Sequence, residues 1–196
     1  DVDSGLVGET VWRASEHVPE WDARNILSYN GSTGIVFDGG NLSAGQTDLL
    51  EANGLGAEAD AIVDFIRGDT ANNLTNGGPF RVRTNPIGDI VHSAPMYYKG
   101  TVYIGANDGM LHAIDAADGS EKFCYVPNLV YDHLSLLAHP DYSHKYYVDS
   151  TPDAVKVGDQ DLLACGLGKG GKGYFCLDIT DPDTMGEDDV LWANPP

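Results

Sequence analysis

The stretch that decides the fold reads Ile90-Val91-His92-Ser93-Ala94-Pro95-Met96-Tyr97-Tyr98, Lys99-Gly100, Val102-Tyr103-Ile104-Gly105-Ala106, Asn107-Asp108-Gly109, Met110-Leu111-His112-Ala113-Ile114-Asp115, Ala117-Asp118-Gly119 and Lys122-Phe123-Cys124-Tyr125-Val126. Four short apolar runs, rich in β-branched and aromatic residues, alternate with turn residues that tolerate positive φ. The pattern predicts four antiparallel strands in about forty residues, with Pro95 at an edge or bulge. Such a unit is one blade of a β-propeller.

Downstream a degenerate copy follows. Ala154-Val155-Lys156-Val157, Leu162-Leu163-Ala164-Cys165-Gly166, Gly173-Tyr174-Phe175-Cys176-Leu177-Asp178 and Val190-Leu191-Trp192 take the same four places. Residues 129–150 separate the copies as an insertion, with a short helix expected near Leu134–Ala138. The expected fold class is therefore mainly β, a partial, quinoprotein-like propeller of four-stranded antiparallel blades. Its parts are a helical and loop insertion at 41–79, a blade at 88–126, an insertion at 127–153 and a degenerate blade at 154–192, all in one domain over 1–196. Two recognisable blades against the four to eight of a closed propeller predict a piece of a longer polypeptide, or blades supplied from elsewhere.

Upstream, Ser43 and Gln46 have capping-box spacing ahead of Leu49 and Leu50. After the Asn53-Gly54 break, Ala59, Ile62, Val63 and Ile66 recur at helical spacing, with Glu58 and Asp60 early, Arg67 late and Gly68 just past the end. Two helices are expected, about 43–52 and 56–67, followed by a polar loop at Asp69–Pro79 and β structure from Phe80. The first forty residues are weakly patterned, with a turn at Tyr29–Gly34 and the short run Ile35-Val36-Phe37.

The 196 residues (20.9 kDa) carry 30 acidic and 11 basic side chains, a net charge of −19. That excess argues against nucleic acid and against basic docking on anionic lipid. The apolar fraction is 42% and the mean hydropathy −0.23, enough for a core, and no run approaches the ~18 apolar residues of a membrane span. The chain opens on Asp1 with no signal-peptide pattern, so a missing or processed start is expected.

Few motifs carry chemistry. Gly166, Gly168 and Gly171 satisfy GxGxxG, and Gly166, Gly171 and Lys172 resemble a phosphate-binding loop, but both need a helix next and the following residues are strand-like. A glycine-rich hairpin is the plainer expectation. Asp181, Asp183, Glu187, Asp188 and Asp189 cluster after a strand, with acids at positions one and three and Gly186 at six of a calcium-loop pattern. Met185 and Trp192 break it at positions five and twelve, and Pro182 stiffens it. Asp181, Asp183, Glu187 and Asp189 are the calcium candidates, against a solvated acidic turn; Asp1-Val2-Asp3-Ser4-Gly5 could be part of another such loop. His92 and His112 lie on neighbouring predicted strands and could meet, though a hydrogen-bonded structural role is the default. Cys124, Cys165 and Cys176 form no CxxC or CxxCH; Cys165 and Cys176 could face each other as a disulfide, or simply be small buried hydrophobes. No nucleophile signature is present.

Gly88-Asp89-Ile90-Val91-His92-Ser93-Ala94-Pro95, Val102–Ala113, Tyr125-Val126-Pro127, Gly166-Leu167-Gly168, Gly170-Gly171, Gly173-Tyr174-Phe175 and Leu177-Asp178, with Arg67-Gly68-Asp69 and Phe80-Arg81-x-Arg83, resemble the PilY/PilC family of type IV pilus biogenesis proteins. The resemblance covers about residues 9–192. It implies part of the C-terminal β-propeller of a large exported protein of the periplasm, cell surface or pilus tip. That protein would be non-enzymatic, a partner of minor pilins and of host or abiotic surfaces, acting in adhesion and in pilus extension over retraction. The family's calcium loop lies downstream of the matched motifs and is carried onto no residue here; no cofactor is evident in this segment, with calcium expected of the parent. The sheet edges and the loops at 41–79 and 129–150 are the expected contacts. Alternatives are a quinoprotein dehydrogenase-like enzyme, against which stand the missing vicinal cysteines and acid–base set, and a propeller scaffold for outer-membrane assembly.

Overall fold

The computed structural model describes residues 9–52 and 54–194; the candidate loop at Asp1–Gly5 and Asn53 of the predicted break lie outside them. In chain order the elements are β1 (Ile26–Tyr29), β2 (Gly34–Val36), α1 (Ala44–Glu51), α2 (Ala59–Arg67), β3 (Met96–Tyr98), β4 (Thr101–Gly105), β5 (Leu111–Asp115), β6 (Glu121–Val126), α3 (Tyr131–Leu134), β7 (Asp153–Val157), β8 (Gln160–Gly166), β9 (Tyr174–Asp178) and β10 (Val190–Asn194). They build a sheet of order β2-β1-β6-β5-β4-β3 and a second of order β10-β9-β8-β7. The fold is mainly β, in successive antiparallel meanders, as the alternation of short apolar runs and turns predicts.

The first sheet is wider than expected. Beyond β6 it continues into β1, which pairs with β6 in parallel (Ile26↔Cys124, Ser28↔Val126), and β2 closes that edge antiparallel to β1. All four β1 residues are buried, so the run carries no period-2 alternation to mark it as a strand. At the other edge, the strand expected over 90–98 is only Met96–Tyr98. Side chains take the backbone donors upstream of it: His92 N–H donates to Asp149 Oδ1 (3.1 Å) and Ala94 N–H to Thr151 Oγ1 (2.8 Å). Ser93 Oγ in turn accepts from Gly105 N–H at 2.9 Å. The segment from Phe80 is likewise irregular, with a single bridge to Asn73.

Two faces meet between the sheets. Directly opposed residues share a face, so Tyr103, Ala113 and Phe123 project together, with Leu111 and Tyr125. In the second sheet Leu163, Cys165, Phe175, Leu177 and Ala193 share one face. These residues are buried in one hydrophobic cluster, and the rings of Tyr125 and Phe175 lie 4.7 Å apart across the junction. The same register corrects the disulfide expectation: Ala164 opposes Cys176 and Cys165 opposes Phe175, so Cys165 and Cys176 point to opposite faces and cannot bridge this hairpin. Both thiols are free.

Polar contacts fasten the junction's rim. Tyr98 Oη donates to Asp161 Oδ1 (2.9 Å) and Lys99 Nζ to Asp161 Oδ2 (2.5 Å), and Lys122 Nζ pairs with Asp183 and, at 2.9 Å, Asp115. Lys99, at φ +47°, is the non-glycine residue with positive φ among those described.

The capping box forms as expected: Ser43 Oγ accepts from Gln46 N–H, and Gln46 Oε1 accepts from Ser43 N–H at 3.1 Å. α2 starts at Ala59, three residues later than expected, with Glu58 as its N-cap, and buries Ala59, Ile62, Val63, Phe65 and Ile66. Arg67 stands in the last turn as expected, and its side chain is buried. α1 packs on α3, and α2 on the short 3-10 turn Ser135–Ala138, so the two insertions form one helical layer.

The 166–173 stretch crosses the 147–150 strap at backbone contact: a Cβ on Gly170 would stand 1.6 Å from the Tyr147 carbonyl oxygen. Gly170→Ala should therefore cost about 3 kcal/mol, at the upper end of overpacking. Gly45→Ala, in α1 with open space around it, should stabilise by ~0.5 kcal/mol. Thermal denaturation of the two variants checks the pair; equal midpoints would refute the close approach.

Candidate functional site

The turn Asn107-Asp108-Gly109 and the strands on either side of it build a buried charge cluster. Gly109 (φ +96°) closes the turn, which carries Asp108 inward. His112 follows one turn of sequence later on β5, and Glu121 and Cys124 stand on the neighbouring β6. His112 Nε2 lies 3.0 Å from Asp108 Oδ2; its Nδ1 lies 3.2 Å from Cys124 Sγ and 3.4 Å from Glu121 Oε2. Asp108 Oδ2 also accepts from Gly88 N–H at 2.6 Å, an approach that a Cβ at residue 88 would block at 2.4 Å from Asp108 N.

Arg24, just before β1, enters the cluster from 97 residues away in sequence. Its Nε and Nη2 donate to the two Glu121 oxygens at 2.7 and 2.8 Å, a bidentate pair. Nη1 donates to the Arg67 carbonyl (2.6 Å), while Arg67 donates back to the Arg24 carbonyl (3.0 Å) and to that of Phe37 (2.8 Å). Two buried arginines thus use each other's main chain as acceptor.

The pKa directions follow from this geometry. Burial alone would raise Glu121, but the hydrogen bonds from His112 and Arg24 hold it far below the carboxylate range. Burial opposes the His112 imidazolium, yet the Asp108 carboxylate beside Nε2 raises its pKa well above the usual histidine value. Asp108 is lowered: burial is outweighed by His112 and Arg83 and by the Gly88 N–H. Burial and the Glu121 charge push the Cys124 thiol up, which keeps it protonated and unreactive.

His112, Glu121 and Cys124 are the trio among the described residues whose donor atoms all lie within 4.8 Å of one another. Arg24 already takes both Glu121 oxygens and reaches Cys124 Sγ at 3.4 Å. A cation placed there would face a fixed guanidinium, so the donor set suits an internal ion pair better than a metal.

The predicted candidates lie elsewhere. Asp181 Oδ1 accepts from Asp183 N–H (3.3 Å), Asp183 pairs with Lys122, and Asp189 Oδ2 accepts from Gly186 N–H (2.8 Å). Glu187 opens a 3-10 turn whose carbonyl approaches Gly34. The carboxylates of Asp181, Asp183 and Asp189 thus turn to separate partners. His92 and His112 do not meet: His112 is interior, while the His92 side chain is 45% exposed and bonds Asp149 Oδ2 through Nδ1 at 2.6 Å. Lys169 Nζ stands 3.3 Å from His92 Nε2, His144 bonds Asp89 at 2.7 Å, and His92 flanks Tyr146, which with His133, His144, Lys145, Lys169 and Gly170 lines an open surface hollow. The glycine stretch leads into β9, not a helix, and holds its backbone against residues 147–150, so it forms no phosphate cradle. Arg24, Asp108 and Glu121 escaped the sequence reading; the visible hint was the i, i+4 spacing of Asp108 and His112.

Two stacked antiparallel meanders around a charge-locked interior are the blade pattern of a β-propeller. The family profile described as PilY1 beta-propeller domain matches residues 86–194, and the chain belongs to that family. It is 34% identical, over 96% of its length, to a type IV pilus biogenesis factor PilY1 homolog of Xylella fastidiosa (strain Temecula1). To type IV pilus biogenesis factor PilY1 of Pseudomonas aeruginosa it is 36% identical over 66% of the chain (strain UCBPP-PA14) and 31% over 97% (strain PAK). It spans only 16%, 14% and 20% of those proteins.

The linkage signs of the cluster are opposite for its acids and its base. Asp108 and Glu121, lowered on folding, contribute stability above the ordinary carboxylate range, and it is lost as pH falls through their folded values. His112, raised on folding, contributes fully below about pH 6.5, and that contribution fades as pH rises through its folded value. The thermal midpoint should peak between about pH 4.5 and 6.5. Glu121→Gln should flatten the acid limb and cost about 3 kcal/mol by stranding Arg24, and His112→Gln should flatten the alkaline limb. Melting curves from pH 3 to 9 on the three proteins read this directly.

Proposed function

We propose that this chain is a non-enzymatic docking segment of an exported type IV pilus biogenesis factor, and that its helical layer contacts pilus-tip subunits. The family membership over residues 86–194 carries the reading; the relatives are named as biogenesis factors. No helix among the described residues is long and apolar enough to cross a membrane. The packing of α1 on α3 supports the choice of surface, because it merges two insertions into one face outside the sheets. Asp48 in α1, Asp132 in α3 and Asp141 in the loop that follows are exposed, and the net charge of −19 favours partners with basic patches. Adhesion and the balance of extension over retraction would be consequences of that contact.

The test is capture of purified minor pilins by the full-length parent carrying Asp48→Lys with Asp141→Lys, both exposed and remote from the core. Capture should fall about tenfold, the size of a weakened charge-complementary contact. Undiminished capture by a folded double variant would remove the helical layer from the contact surface.

A further inference from the structure

The hollow beside the glycine stretch collects cations that the rest of this acidic chain leaves unpaired. Lys99, Lys122 and Lys156 each pair with a carboxylate; among the described residues Lys145, Lys169 and Lys172 pair with none. Lys145 and Lys169 line the hollow with His133, His144, Tyr146 and Gly170, and no carboxylate among the described residues lines it. Lys169 Nζ stands 5.2 Å from the Tyr146 ring centroid and 3.3 Å from His92 Nε2. The acids nearby are committed to the imidazoles: Asp149 holds His92 Nδ1, Asp89 holds His144 Nε2 and Asp132 holds His133 Nδ1. Among the described residues the second ring nitrogen of each histidine meets no carboxylate. The backbone fixes the arrangement. Gly168 takes φ +58°, and a Cβ there would stand 3.0 Å from the Asp149 carbonyl carbon, while Gly170 meets the Tyr147 carbonyl at closer range still. Lys169, between them, is delivered against the strap that carries Tyr146.

We propose that this hollow binds a phosphate group, free or carried on a sugar, through the side chains of Lys145, Lys169, His92 and His144. It is a side-chain site, distinct from the main-chain cradle that the glycine stretch lacks. A metal does not fit, because the Lys169 ammonium already faces the His92 nitrogen that a metal would need. A planar carboxylate is met best by a guanidinium fork, and no arginine lines the hollow. Lysine and histidine donate singly, which suits an anion with several equivalent oxygens; a phosphomonoester presents three and carries about −1.5 to −2 charges at pH 7. The net charge of −19 does not oppose this strongly, since exposed charges more than about 8 Å away are largely screened at physiological salt. The half-buried Tyr146 ring offers an apolar face to a sugar that bears the phosphate. Phosphate binding here is independent of the contact with pilus-tip subunits.

Lysine acylation and histidine carbethoxylation of the full polypeptide, read residue by residue by mass spectrometry, test it. The probe is about 10 mM inorganic phosphate, ten times the ~1 mM dissociation constant expected of an open site. Lys145, Lys169 and His92 should be protected about fivefold or more at that ratio, with His17 and Lys156, exposed elsewhere, unchanged. Glucose 6-phosphate that protects at lower concentration than phosphate assigns a phosphosugar; protection at equal concentration assigns the phosphate alone. Acetate at matched ionic strength should protect none of them. Equal protection by acetate, or none by either phosphate compound, would overturn the proposal. In equilibrium dialysis Lys169→Gln should weaken phosphate binding about tenfold, the loss of one charge-assisted hydrogen bond, and Lys156→Gln should leave it unchanged. Undiminished binding by a folded Lys169→Gln variant would count equally against the site.

Discussion

The fold depends on one buried ion pair that reaches across most of the sequence. Arg24 and Glu121 are both withdrawn from water, which would cost several kcal/mol per charge if either stood alone. Their bidentate geometry, with His112, Asp108 and the Arg67 carbonyl taking up the remaining polar capacity, leaves the charges paired. The pair also fixes position. Arg24 is adjacent to β1 and Glu121 opens β6, so satisfying the charges sets β1 alongside β6 in parallel at a single register. The network leads on through Arg67 to the end of α2 and the Phe37 carbonyl. Strand addition, helix docking and hairpin closure thus share one set of hydrogen bonds.

Much of the architecture was legible in the residues because it is local. The meanders at 96–126 and 153–194 announce themselves through turn residues and short apolar runs, and the capping box and α2's apolar stripe through spacing. What stayed hidden is non-local. β1 is too short and too uniformly buried to show a period, and its partner lies about a hundred residues on. The segment at 90–95 looks like a strand by composition, yet its donors are claimed by Asp149 and Thr151. Of the candidate site, the acidic loop was visible as composition only: a cluster of carboxylates in sequence says nothing of whether they converge, and here they disperse to Lys122 and to local backbone. The charge cluster was illegible because Arg24 carries no motif, and Asp108 reads as a turn residue although it works as a buried acceptor.

The two sheets are unequal copies of one design. The first has Lys99 at its tightest turn, in a backbone region unfavourable for a side chain, held by the carboxylate of Asp161 from the neighbouring sheet. The second has Gly158 in the equivalent turn (φ +62°), relaxed and without such a reach. The first sheet also accepts two extra strands and the helical layer, where the second has β10 at its rim. Divergence is thus concentrated at edges and turns, while the central hairpins keep their register, as expected where a slip of one residue would turn every apolar side chain outward.

The placement of the three thiols has a further consequence. Cys124 is locked beside a guanidinium and an imidazole, and Cys165 and Cys176 stand on opposite sides of one ribbon. Among the described residues none of the three is paired, so a reducing agent finds no disulfide to break in these two sheets.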